Sequence, residues 1–262
     1  MKQLSVFFGL AFLISWIIWL PLWGVYFGLN LPVLPCHHGL GGLGPIIASF
    51  LTTWIFPGKE SVKSLAAKCI QITPLPYFTA ALFSPFILVL GASVIGYYAD
   101  GTELNLSGLL KSKEFPEFSL PLFFIYNLIF FGLGEEAGWR GFALPRFQEK
   151  MSPLRAGILL TLFWALWHLP LFLYRPGYLS MGVAGAVGWV LSLLTGSILL
   201  TWFYNSSKGS ILICAVFHTA MDVVFTAEAA GKNIINYTGF LITVWGILTV
   251  FILLLENRNG VK

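Results

Sequence analysis

Apolar residues in this chain fall in long unbroken runs, and polar residues collect between them. Eight stretches approach the ~20 apolar residues that a helix needs to cross a bilayer. They are 5–27, 40–56, 76–98, 119–144, 154–174, 183–204, 209–227 and 237–255. The second is short and rich in glycine (Gly39, Gly41, Gly42, Gly44), which fits a partly re-entrant segment. Between the second and third, Glu60–Gln71 sets Lys63 and Lys68 beside Val62, Leu65 and Ala66, the spacing of a short amphipathic helix lying on the membrane surface. No internal repeat interrupts the pattern, so residues 1–262 read as a single integral membrane domain.

Composition agrees. The chain is 57% hydrophobic and 10% charged, against about 25% charged in soluble domains. Its mean hydropathy is +0.83. Ten Trp and 24 Phe suit lipid contact and interfacial anchoring. A soluble domain, a disordered chain and a disulfide scaffold are excluded, and the predicted class is an all-α polytopic membrane protein in contact with the lipid bilayer. The net charge of +4 comes from scattered cations, which excludes a nucleic-acid partner. Cys36, Cys69 and Cys214 are odd in number and far apart, so no disulfide framework follows. The first run holds Trp16, Trp19 and Trp23 without a small-residue cleavage site, and reads as a retained span rather than a signal peptide.

Cation placement sets the expected orientation. With eight crossings and a cytoplasmic N-terminus, the inner segments hold Lys2, Lys59, Lys63, Lys68, Arg146, Lys150, Arg155, Lys208, Arg258 and Lys262, which is ten. The outer segments hold Lys111, Lys113, Arg175 and Lys232, which is four. Both termini are therefore expected in the cytoplasm.

A few ionisable groups break the rule that lipid-embedded segments avoid charge. The fourth run contains Gly134-Glu135-Glu136-Ala137-Gly138-Trp139-Arg140, the fifth contains Trp164-Ala165-Leu166-Trp167-His168, and the seventh contains His218-Thr219-Ala220-Met221-Asp222. Glu136 and Arg140 lie four apart on one helical face, so they are expected to pair and to act structurally. Glu135 points about 100° away, lacks that partner, and is left to face a cavity. Glycines 132, 134, 138 and 141 leave room for a neighbouring helix or for substrate backbone. His218 and Asp222 also share a face, and such an Asp can orient the histidine or join it on a metal. At about 1.5 Å per residue, Glu135, His168 and His218 lie roughly 14, 20 and 14 Å into their spans, so three helices can aim them at one point. Cys36-His37-His38 has ligand-type residues but no matching second half, and reads as an exposed loop.

Together these motifs resemble the CPBP family of intramembrane proteases, also called the CAAX-protease and bacteriocin-processing, or Abi, family. Its pattern is Glu-Glu-x-x-x-Arg, then aromatic-x-x-x-His, then His-x-x-x-Asn or His-x-x-x-Asp, supplied here by Glu135 to Arg140, Trp164 to His168 and His218 to Asp222. The resemblance covers a core of about 118–227. It implies an intramembrane endopeptidase acting on a membrane-embedded or lipidated peptide or protein, in the plasma membrane of a bacterium. Glu135 then suits the general base, with His168 sharing the water and His218 on the oxyanion side. If Zn²⁺ is used, His168, His218 and Asp222 are the natural ligands; the reading leans to a metal-free reaction. Two departures stand out. Trp164 replaces the more usual Phe, which is expected to alter packing around His168 without altering the chemistry. Asp222 replaces the Asn typical of prenyl-protein proteases. The rival readings are a proton-coupled transporter and a non-catalytic immunity or scaffold protein of the same fold.

Overall fold

The computed structural model describes residues 2–56, 58, 61–102, 108, 111–112, 115–226 and 232–258. Of the residues used above, Lys59, Glu60, Lys113 and Lys262 lie outside them. Among the described residues every regular element is helical. In chain order these are α1 (Lys2–Ile18), α2 (Leu20–Trp23), α3 (His37–Gly42), α4 (Gly44–Ile55), α5 (Val62–Lys68), α6 (Leu75–Asp100) and α7 (Leu120–Asn127). There follow α8 (Gly134–Gly138), α9 (Leu144–Gln148), α10 (Pro153–Trp167), α11 (Pro176–Leu179), α12 (Val183–Ser206), α13 (Ile211–Thr226) and α14 (Lys232–Arg258).

Length and composition do not confirm a count of eight among the described residues. Five helical segments are long and apolar enough to cross a membrane: Leu75–Asp100, Leu120–Gln148, Pro153–Leu173, Val183–Ser206 and Asn233–Leu255. The first run makes six if its two helices, bent by 53°, count as one span. Pro21 opens the second of that pair, and a proline there removes the hydrogen bond that would keep the helix straight. The two remaining runs fold as shorter pieces. The glycine-rich one breaks at Leu43 into α3 and α4.

The described part of α13 is enclosed by protein. It packs against α6, α7, α8 and α12, and Phe217 meets Trp245 of α14 with ring centroids 5.8 Å apart. α5 forms as expected, with Ser61 accepting from the Ser64 N–H at its start, but Leu65 is fully buried against protein. Cys36, Cys69 and Cys214 are free thiols, and burial pushes Cys69 up to about 11.

The exposed-loop reading of Cys36-His37-His38 is also corrected. His37 opens α3 and is buried, its Nε2 on the Ile18 carbonyl at 2.7 Å and its Nδ1 accepting from the Leu34 N–H at 3.0 Å. His38 bonds the Tyr174 hydroxyl at 2.7 Å and lies between the rings of Trp19 and Phe131. These histidines fasten the segment after the first span to the bundle. Both contacts bridge residues remote in sequence, which local spacing does not reveal.

Candidate active site

The span Leu120–Gln148 is not a uniform α-helix. Two π-helical turns, Leu128–Leu133 and Trp139–Ala143, flank the five residues of α8 that carry both glutamates. Such wide turns cost hydrogen-bond geometry and gather at functional sites, where they re-aim side chains. Glycine lets neighbours come close here. A Cβ on Gly132 would sit 2.7 Å from the Ala215 carbonyl oxygen of α13, and one on Gly138 2.7 Å from that of Pro45 in α4. Of the two uses left open for these glycines, close helix approach is the one seen at both positions.

The approach at Gly132 brings α13 onto the glutamates. Glu136 and Arg140 are fully buried, and Arg140 Nη1 donates to Glu136 Oε1 at 3.0 Å, as their spacing predicts. The same oxygen also accepts from His218 Nδ1 at 2.8 Å. Glu136 therefore does more than neutralise Arg140: it fixes the ring of a histidine on another helix. Among the described residues, Glu136 Oε2 and Arg140 Nε and Nη2 lack a partner, and buried polar atoms of this kind call for internal water.

Glu135 lives in a different setting. It is 3% exposed, and its Oε2 accepts from the indole Nε1 of Trp164 at 2.6 Å and of Trp139 at 3.4 Å. Among the described residues Oε1 takes no hydrogen bond and no cation pairs with the carboxylate.

His168 comes from a helix end. Pro170 has no N–H to continue α10, which stops at Trp167 and gives way to a 3-10 turn, Leu169–Leu173. The last carbonyls of a helix lack their usual donors, and His168 Nδ1 takes up that of Trp164 at 2.7 Å. A carbonyl only accepts, so Nδ1 carries a proton, and in the neutral ring Nε2 presents a lone pair.

Asp222 is less engaged with His218 than its spacing suggests. Its Oδ2 lies 3.7 Å from His218 Nε2, beyond hydrogen-bond length, and its side chain is one-third exposed. Orientation of His218 falls instead to Glu136, which sequence reasoning gave to Arg140 alone. The proposed ligand set does not converge either: among the described residues no three His, Cys, Asp or Glu side chains are placed to hold a metal. With Nδ1 on Glu136, only one nitrogen of His218 remains, and that one faces Asp222.

Sequence reasoning also missed the aromatic cover. After His168 the chain folds back through α11, and Tyr178 stacks on the His168 ring with centroids 6.4 Å apart. Trp189 of α12 closes from the side at 5.7 Å. Burial, and then the charge of Glu135, hold the Tyr178 phenol above its ordinary value, so it stays a neutral hydroxyl. The run of Phe172, Tyr178 and Trp189 was legible only as aromatic content, since their meeting depends on the fold-back.

A buried carboxylate held by indole N–H groups, linked through Trp164 to an imidazole under an aromatic cover, is equipped to activate a water. Residues 117–224 match the family model of Rce1-like type II CAAX prenyl endopeptidases. A relative described as CAAX prenyl protease 2, from Methanococcus maripaludis, is 24% identical over 239 residues, covering 84% of this chain and 82% of the relative. Both likenesses are to CAAX prenyl proteases, the family that the three motifs resemble. The stretch matched to the CAAX-protease model holds Glu135, Glu136, Arg140, Trp164, His168, His218 and Asp222. The apolar helices are those of a multi-pass integral membrane protein.

Proposed function

We propose that this chain hydrolyses a peptide bond of a membrane-associated, lipidated peptide or protein, with Glu135 as the base. Prenyl appears in the name of the family and of the relative, which makes a prenylated peptide the first substrate to try. The observation that carries the reading is the contrast within α8: Glu136 is bound by Arg140 and His218, while Glu135 is held only through Oε2 by indole N–H groups. Glu135 Oε1 takes a proton from water as the water oxygen attacks the peptide carbonyl carbon. His168 Nε2 accepts from the same water and orients it. His218, fixed by Glu136, stabilises the developing oxyanion. The proton held on Glu135 then passes to the amine as the C–N bond breaks.

This route needs no metal, and no step is assigned to one. In the same reading residues 1–262 form one membrane domain with its catalytic core at about 118–227, both termini are cytoplasmic, and the membrane is bacterial plasma membrane. The test uses protein reconstituted in vesicles with a fluorescent prenylated peptide ending in a free carboxylate. Wild-type protein should release the C-terminal fragment, and Glu135→Gln should not. Cleavage by both proteins alike would reject the assignment.

A further inference from the structure

Trp164 makes a contact that the phenylalanine usual at this place in the family pattern lacks the atoms to make. Its indole Nε1 donates to Glu135 Oε2 at 2.6 Å. The face of the same ring carries the Arg140 guanidinium at 4.4 Å, its edge meets His218 at 5.6 Å, and its backbone carbonyl accepts from His168 Nδ1. One side chain thus stands between the two glutamate environments, with its N–H on Glu135 and its face on the cation that pairs with Glu136.

We propose that Trp164 is a positioning residue for hydrolysis: its N–H anchors one oxygen of Glu135 so that the other meets the water, and its ring keeps Arg140 on the Glu136 side. The hydrolytic part of this inference rests on the reading of Glu135 as the base. The titratable groups that act on Glu135 are Glu136 on its own span, His218 and Asp222 on α13, and Tyr178 from α11, while Arg140 and His168 meet Trp164. His38, on α3 beside Phe131, lies one layer further out. None of them replaces the indole donor.

Two variants remove the N–H. Trp164→Phe supplies the residue usual in the family, and incorporation of 3-benzothienylalanine at 164 puts sulfur in place of N–H while keeping the ring size. A hydrogen bond to the ionised form of a carboxylate favours that form, so losing it raises the proton affinity of Glu135. The acid limb of kcat/KM should move up by about one to two pH units in both variants, with KM nearly unchanged. Trp139→Phe, which removes only the 3.4 Å contact, should move it by less. A second measurement needs no substrate: infrared titration of the Glu135 carboxyl band, isolated by subtracting Glu135→Gln, should shift in the same direction. An infrared titration identical in wild type and the benzothienyl variant would overturn the proposal. An infrared shift with inactive wild-type protein would uphold the anchoring of Glu135 and reject the hydrolytic reading instead.

Discussion

Glu135 and Glu136 are neighbours in sequence and are both buried, yet they sit in opposite environments. Glu136 has a guanidinium and an imidazole on one oxygen, and its charge is spent on holding α8 to α13. Glu135 takes its hydrogen bonds from neutral indole donors, and the guanidinium pairs with its neighbour instead. A buried ion pair seldom adds much stability over an apolar pair, but breaking one is expensive. The difference teaches that the rigid half and the reactive half of this site are one residue apart, separated by helix rotation and by the ring of Trp164.

The sharpest way to break the comparison is to neutralise the reactive half. Glu135→Gln should lower kcat by about 10²–10⁴-fold, the usual worth of a positioned base, with the melting temperature nearly unchanged. His168→Ala should fall in the same range, because the water loses its second partner. Activity of either variant near wild type in a peptide-release assay would remove that residue from the reaction.

Neutralising the rigid half should act on stability first. Glu136→Gln leaves Arg140 buried without its partner, at a cost of about 3–5 kcal/mol, read as a lower denaturation midpoint in detergent. Glu136→Leu with Arg140→Met removes both charges and should recover part of that loss while activity stays low, because His218 is no longer fixed. Equal destabilisation by the single and double replacements would show that the charges are not coupled.

Smaller effects are expected at the edge of the site. With Asp222 Oδ2 3.7 Å from the His218 ring, Asp222→Asn should keep activity within about tenfold, and prolonged chelation should leave turnover intact. Stoichiometric zinc in active protein, with activity lost on removal and restored on return, would contradict both. Labelling of a cysteine introduced at position 258 should occur from the cytoplasmic face; labelling from outside would invert the orientation read from the cations.

What could be read from the sequence was what repeats locally. Helical spacing fixed the Glu136–Arg140 pair, and apolar runs marked the membrane helices within a few residues at α6 and α12. The order of three motifs named the polar residues around α8 but not Tyr178 and Trp189, which cover His168. Contacts between remote segments stayed hidden: Glu136 with His218, Trp164 with Glu135, and His38 with Tyr174, separated by 82, 29 and 136 residues. Run length also does not distinguish a helix that faces lipid from one that, like α13, is enclosed by other helices. The π turns beside α8 leave no periodic trace in the sequence.

The central claim is the division of labour inside α8, and one paired measurement tests it most directly. Glu135→Gln and Glu136→Gln are purified in the same detergent, and each is measured for thermal melting and for turnover of a prenylated peptide. The account expects Glu135→Gln to melt like wild type and to be inactive, and Glu136→Gln to melt clearly lower. A Glu135→Gln protein that melts lower than Glu136→Gln, or that still turns over substrate, would contradict it.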